Sequence, residues 1–149
     1  MKDSTKVDCI KKLWWQAAEK EAPEKSSPLS LVLIALCGLT AFDVLGFGGN
    51  FEKLHCRVSK WPLAPRRRLH VSDACQAINH ACVWYPKRVQ CLQRSAVMTC
   101  LLRSGGVPAN MVMGAQSLPF KAHAWTEVDS RAINERRDVQ RIYDVLDRW

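Results

Sequence analysis

The sequence has no two cysteines at C-x-x-C spacing, although 7 of its 149 residues are cysteine. This absence leaves a zinc ribbon or a dithiol redox centre without support, and we expect a site with no metal and no cofactor. Four cysteines lie among apolar residues and are expected to be small buried hydrophobic side chains: Cys37, Cys75, Cys82 and Cys100. Such use of cysteine is typical of a reducing compartment, which predicts a cytoplasmic protein.

A long apolar run is also missing. The best membrane candidate, Leu29–Phe42, is 14 residues long and is followed by Asp43. A membrane-spanning helix needs about 20 apolar residues, so a buried helix is the better interpretation. Residues 1–12 carry charged side chains without an apolar core, and we therefore expect no signal peptide.

The composition is that of a globular protein. Hydrophobic residues make up 48% and charged residues 24% of a chain long enough for one domain. The net charge of +8 favours an acidic peptide, an acidic protein or nucleic acid as a partner, or else serves only solubility. No sequence motif supports nucleic-acid binding, and we expect none.

The chain divides into an N-terminal piece, 1–28, and a single domain, 29–149. Residues 1–28 are expected to form a short amphipathic helix and a proline-bounded linker. Residues 29–69 form a helical lead-in to the domain. Its first helix, Ser30–Leu45, is apolar on nearly all sides and should therefore be central. Asn50 is expected to cap the next helix.

Residues 70–149 are expected to form the catalytic core. One predicted helix starts near Ser72 and packs through small residues, and a second starts at Cys91 and ends at Gly105-Gly106. The period then changes from helix to strand, which predicts strands at 109–114, 122–128 and 132–135. The tail around 142–146 fits either a helix or a fourth strand. Helices followed by a small antiparallel sheet make this an α+β fold.

Cys91 and His123 are the residues best placed for nucleophilic chemistry. A thiol attacks only as thiolate, and the positive end of a helix dipole favours that form. A histidine on an adjacent strand would form an ion pair with the thiolate and later protonate the leaving amine. Free N–H groups at the helix start, including that of Cys91, can hold an oxyanion. His55, His70 and His80 are the rival histidines.

Two acids in the predicted hairpin could orient the histidine. A three-residue turn near Asp129 would pair position 135 with position 123 and place Glu135 on the same face as His123. A register shift of one residue would turn Glu135 to the other face. Asp129 is the alternative acid, although it lies in the turn itself, where aspartate is favoured for its backbone hydrogen bonds.

The second half of the chain contains short motifs in a recognisable order: Cys91-Leu92-x-Arg94-Ser95, Leu101-Leu102-Arg103-x-Gly105-Gly106-Val107-Pro108-Ala109, Gly114, Pro119-Phe120-x-Ala122-His123-Ala124-Trp125-x-Glu127-Val128 and Asn134-Glu135. In these motifs the chain resembles the transglutaminase-like leader peptidases of lasso-peptide biosynthesis. The resemblance covers about 70–149 well, and 29–68 only as a helical, arginine-rich lead-in.

The resemblance implies a papain-like or transglutaminase-like fold with a Cys–His–acid triad that removes the leader from a ribosomally made precursor peptide. Cys91 would be the nucleophile and His123 the general base and acid. The third position is usually Asp in that family, and Glu135 stands there in this chain. A separate ATP-dependent macrolactam synthetase then closes the core peptide into a threaded ring.

The short chain resembles the stand-alone form of these peptidases, which needs a small leader-binding protein as a partner. Arg66, Arg67 and Arg68 are our candidate docking residues for that protein or for the leader, and a solvated loop is the alternative. Two other functions stay open. The same triad could catalyse amide transfer or deamidation, or the domain could be a peptide-binding scaffold with an inert Cys91.

Overall fold

The computed structural model describes residues 29–45, 49–65, 69–136 and 138–149. The predicted N-terminal helix and linker in 1–28 lie outside the described residues. Helices come first: α1 (Leu29–Val44), α2 (Phe51–Ser59), α3 (Val71–Trp84) and α4 (Cys91–Ser104). Strands and one short helix follow: β1 (Ala109–Gln116), β2 (Lys121–Val128), β3 (Arg131–Ile133), α5 (Val139–Ile142) and β4 (Asp144–Arg148).

Local sequence signals explain several helix boundaries. Asn50 accepts a hydrogen bond from the Lys53 N–H at 3.0 Å, which confirms the predicted cap of α2. Gly105 closes α4 with its backbone N–H on the carbonyls of the last turn. Among the helices of the described residues, none combines the length and the apolar character needed to cross a bilayer.

The four strands form one antiparallel sheet with the order β3-β2-β1-β4. Helices in the first half and a small antiparallel sheet in the second confirm the predicted α+β class. The tail contains both of the elements that the sequence left open, because α5 ends at Ile142 and β4 begins at Asp144. The predicted third strand was too long, since β3 ends at Ile133 and not at residue 135.

The helices cover one face of the sheet. The predicted packing face of α3 is buried: it consists of three small residues, Ala74, Ala77 and Ala81, together with Ile78. A second cluster joins Phe42, Leu54 and Ala96 to Met111, Ala124 and Trp149 beside the start of α4. On the opposite face, Val112 and Trp125 are covered by Val139 and Tyr143. The sheet is therefore buried on both sides where β1 and β2 pair.

Two burial expectations were wrong. Helix α1 is not buried all round, since Val32, Ala35 and Leu39 are buried whereas Leu33 and Ile34 are exposed. Apolar residues on every side of α1 therefore do not show that the helix is central. Cys37 lies on the exposed side of the same helix, contrary to expectation, whereas Cys75, Cys82 and Cys100 are partly buried and pack against the core clusters.

Candidate active site

Cys91 is the first residue of α4, as the sequence predicts. Within the described part of the chain, the side chain of Gln90, which precedes it, makes no capping hydrogen bond. The N–H groups of the first helical turn have no partner inside the helix, and they point toward its N-terminal end. This end of α4 therefore presents both the thiol and the positive end of the helix dipole.

Buried hydrogen bonds fix α4 against β2. The Ser95 hydroxyl donates to the Ala124 carbonyl at 2.9 Å, and the Thr126 hydroxyl lies 3.2 Å from the Ser95 carbonyl. Thr99 and Thr126 place their hydroxyl oxygens 3.2 Å apart. Ser95 and Ala124 follow Cys91 and His123 closely along their elements. The contacts thus set the distance between the thiol and the imidazole.

The thiol of Cys91 and the imidazole of His123 are hydrogen bonded. That hydrogen bond lowers the pKa of Cys91; burial opposes the effect, and the Ala124 N–H adds to it. The same hydrogen bond raises the pKa of His123 against the effect of burial, with help from the charge of Glu135. Opposite shifts of the two pKa values favour a thiolate beside an imidazolium, the reactive form of a cysteine nucleophile.

Glu135 lies on the far side of the imidazole. Its Oε2 is 3.3 Å from His123 Nε2, and only 21% of the His123 side chain and 19% of the Glu135 side chain are exposed. Because Nε2 faces the carboxylate, Nδ1 is the nitrogen left for the thiol. The structure brings Cys91, His123 and Glu135 together in the order that a nucleophile, a base and an orienting acid require.

The register that was expected to produce this contact is wrong. β2 and β3 pair through Val128↔Arg131 and Thr126↔Ile133, so the turn has two residues and not three. Both turn residues have positive φ, 50° at Asp129 and 62° at Ser130, as a type I′ hairpin requires. In a continued β3, position 135 would oppose Ala124 and not His123.

A backbone bend corrects the direction of Glu135. β3 ends at Ile133, and Asn134 adopts a left-handed conformation with φ of 54°. Asn tolerates this region better than most residues with a side chain. The chain thus leaves the sheet at Asn134, and Glu135 reaches His123 from outside the strand.

Asp129, the alternative acid, lies in the turn and not beside His123. It stands at the far end of β2, six residues beyond His123, which is about 20 Å along a strand. The rival histidines also lie elsewhere. His55 packs against the Trp149 ring with a centroid distance of 4.8 Å, and His70 and His80 are exposed. The proposed docking residues Arg66, Arg67 and Arg68 lie outside the described residues.

Sequence reasoning missed a buried carboxylate next to the site. Glu127 is 1% exposed and accepts hydrogen bonds from Trp125 Nε1 at 2.9 Å, Gln140 Nε2 at 2.7 Å and Arg148 Nε at 3.0 Å. Burial raises the pKa of Glu127, but these donors and the Arg148 charge outweigh burial and hold the pKa below its usual value. Glu127 thereby ties the tail to β2 and fixes the Trp125 ring.

Aromatic rings complete the surroundings of the imidazole. His123 lies 5.2 Å from the ring of Tyr143 and 6.2 Å from that of Trp125, centroid to centroid. Gly114 pairs with His123 across β1 and β2. A Cβ at Gly114 would come within 2.8 Å of the Trp125 ring, so the absent side chain makes room for the indole. Trp125 is 1% exposed, and its placement limits the movement of His123.

The model of the transglutaminase-like superfamily matches residues 39–147, a range that holds Cys91, His123 and Glu135. No curated protein and no solved structure gives a significant match to the chain.

Proposed function

Since the chain belongs to the transglutaminase-like superfamily, we propose that it is a cysteine peptidase that removes the leader from a lasso-peptide precursor. The observation that carries the proposal is the arrangement of Cys91, hydrogen bonded to His123, with Glu135 at 3.3 Å on the other imidazole nitrogen. The finer assignment to lasso peptides rests on the motifs between Cys91 and Glu135, which resemble those of leader peptidases.

The proposed reaction has two steps. The Cys91 thiolate attacks the carbonyl carbon at the end of the leader, and N–H groups at the α4 start, including that of Cys91, hold the resulting oxyanion. The C–N bond breaks, the imidazolium of His123 gives its proton to the departing amine, and a thioester remains on Cys91. Water, deprotonated by His123, then attacks the thioester carbonyl and releases the leader acid and the thiol.

The proposed partners follow from the same reasoning. The precursor peptide is the substrate, a small leader-binding protein presents it, and an ATP-dependent macrolactam synthetase acts on the released core. We assign the reaction to the cytoplasm, where such a precursor is made. All six cysteines of the described residues are free thiols, in keeping with a reducing compartment. Arg66, Arg67 and Arg68 are the proposed contact for the partner or the acidic part of the leader.

The direct test is cleavage of a lasso-peptide precursor from the same organism, with a leader-binding protein present. Mass spectrometry should show one cut at the leader–core junction with the wild-type chain and none with Cys91→Ala. Cys100→Ala, a change in the same helix away from the triad, is the matched control and should cleave normally. Cleavage by Cys91→Ala would show that Cys91 is not the nucleophile. A product extended by an added primary amine would instead identify an acyl transferase.

Charge reversal at Arg66, Arg67 and Arg68 tests the docking assignment separately. The triple Glu variant should bind the precursor complex more weakly at low salt, where exposed charges are least screened. Reaction of Cys91 with iodoacetamide should be unchanged, because the triad is intact. If the wild type and the triple Glu variant bind the precursor complex equally at low salt, these arginines are not part of the interface.

A further inference from the structure

Glu135 is held in place by a polar network that connects α3, α4 and the bend after β3. The side-chain amides of Asn79 and Asn134 donate to each other's oxygens at 3.2 and 2.9 Å. Arg94 donates through one terminal nitrogen to Asn79 Oδ1 at 3.3 Å and to the Asn134 carbonyl at 2.9 Å. The three side chains thus fix both the backbone and the side chain of the left-handed residue.

The second terminal nitrogen of Arg94 faces the acid itself. Nη1 lies 4.0 Å from Glu135 Oε1, whereas the other carboxylate oxygen faces His123. A cavity of about 10 Å³ beside them is lined by Arg94, Asn134 and Glu135. That is space for about one water, which would bridge a polar pair too far apart for a direct hydrogen bond.

We propose that Arg94, with Asn79, is the positioning element of the triad: it holds the bend at Asn134 so that Glu135 faces His123. The inference rests on the proposed function, in which Glu135 orients the imidazole. Its basis is that no strand pairing among the described residues holds Glu135, because β3 has ended two residues earlier. A carboxylate on an unpaired bend needs side-chain contacts to stay in one direction.

Arginine suits this role better than lysine. Its planar guanidinium presents several donors in a fixed geometry, so it can contact Asn79, the Asn134 carbonyl and the Glu135 carboxylate at once. A lysine ammonium would keep the charge but lose the simultaneous contacts. The geometry and the charge of Arg94 are therefore separable by mutation to lysine. Burial raises the pKa of the Cys75 and Cys82 thiols of α3, and the charge of Arg94 partly opposes this effect.

The experiment measures how fast iodoacetamide alkylates Cys91 as a function of pH, with each cysteine followed by peptide mass spectrometry. Exposed Cys56 is the internal reference. In the wild-type chain Cys91 should react much faster than Cys56 near pH 6, where ordinary thiols are protonated. Glu135→Gln should raise the pH midpoint for Cys91, because the imidazolium that stabilises the thiolate loses its carboxylate.

Arg94→Gln should raise the midpoint in the same direction and slow Cys91 alkylation near pH 6 by about 3- to 10-fold. Arg94→Lys should resemble Arg94→Gln and not the wild type. The double variant Arg94→Gln/Glu135→Gln should have the same midpoint as Glu135→Gln alone, since Arg94 acts through Glu135. Additive shifts, or a wild-type midpoint in Arg94→Gln, would overturn the assignment.

Two further variants separate positioning from loss of fold. Arg103→Gln removes another α4 arginine that bonds the Val58 and Ala109 carbonyls, and it should lower stability without moving the midpoint. Asn79→Ala, at an exposed position, should give a partial shift even if Arg94→Gln fails to fold. An equal shift of the Cys91 midpoint in Arg103→Gln would show that any destabilising change in α4 has this effect, and it would overturn the assignment. If wild-type Cys91 reacts no faster than Cys56, the proposed function itself has failed.

Discussion

Glu135 Oε2 lies 3.3 Å from His123 Nε2 although the two residues do not pair in the sheet. The contact depends on one left-handed residue, Asn134, and on the length of the glutamate side chain. The length of the side chain can be changed by mutation while the bend is kept.

Shortening the acid tests the fit of the bend. Glu135→Asp withdraws the carboxylate by about 1.5 Å, one carbon–carbon bond, and should lower kcat/KM for leader cleavage even though Asp is usual at this position in the resembling family. Glu135→Gln keeps the length but removes the charge and should cost about 10- to 100-fold. Asp129→Asn, in the neighbouring turn, is the matched control. Loss of cleavage in that control as well would show that the effect is not specific to Glu135.

The pH dependence of cleavage should be bell-shaped. The pKa of Cys91 is lowered by its hydrogen bond with His123, so activity should rise with pH on a limb below the usual thiol value of about 8.5. The pKa of His123 is raised, so activity should fall on a limb above its usual value of about 6.5, as the leaving amine loses its proton donor. Both limbs belong to the coupled pair. A profile of kcat/KM that rises only above pH 8.5 would contradict the ion pair.

Glu127 should stabilise the fold in a pH-dependent way. Glu127→Gln removes the charge that binds Arg148 and should cost roughly 1–3 kcal/mol of unfolding free energy near pH 7. The folded-state pKa of Glu127 is lowered, so its contribution is complete above the unfolded value of about 4.3 and is lost as pH falls through the folded value. Urea unfolding should show the gap from wild type narrowing toward pH 3. Exposed Glu52→Gln is the control, and a gap independent of pH would exclude this explanation.

Gly114 should not tolerate a side chain. A Cβ there would lie 2.8 Å from the Trp125 ring and 2.9 Å from the Asp144 carbonyl oxygen, with no flexible chain end to move. Gly114→Ala should therefore lower the free energy of unfolding by about 1–3 kcal/mol in urea titrations. Gly49→Ala, where the new Cβ meets no described residue within 4 Å, should change it little. Equal stability of the two variants would show that the sheet adjusts freely.

Much of the fold follows from local signals in the sequence. Short-range patterns predict the helix beginning at Cys91, the Asn50 cap and the change to strands after Gly106. The structure confirms all three. The meeting of Cys91 and His123 could be anticipated because a helix start and a strand each expose one functional side chain. Their catalytic roles stay predictions.

The remaining errors have physical causes. The hairpin register depends on whether Asp129 and Ser130 both adopt positive φ, which residue types alone do not decide between two- and three-residue turns. Contacts of Arg94 and Glu127 span 40 and 21 residues to Asn134 and Arg148, so no local pattern reveals them. Apolar character around all of α1 likewise did not indicate which side would be covered.

The bend at Asn134 frees the direction of Glu135 from the period of the strand. A carboxylate inside a strand is bound to the two-residue period of the sheet, and any change in its length or position must move a whole strand. A carboxylate outside the strand, after a single left-handed joint, can be re-aimed by rotating one residue. The direction of the proposed acid can then change while β2 and the helix carrying Cys91, the proposed nucleophile, stay where they are.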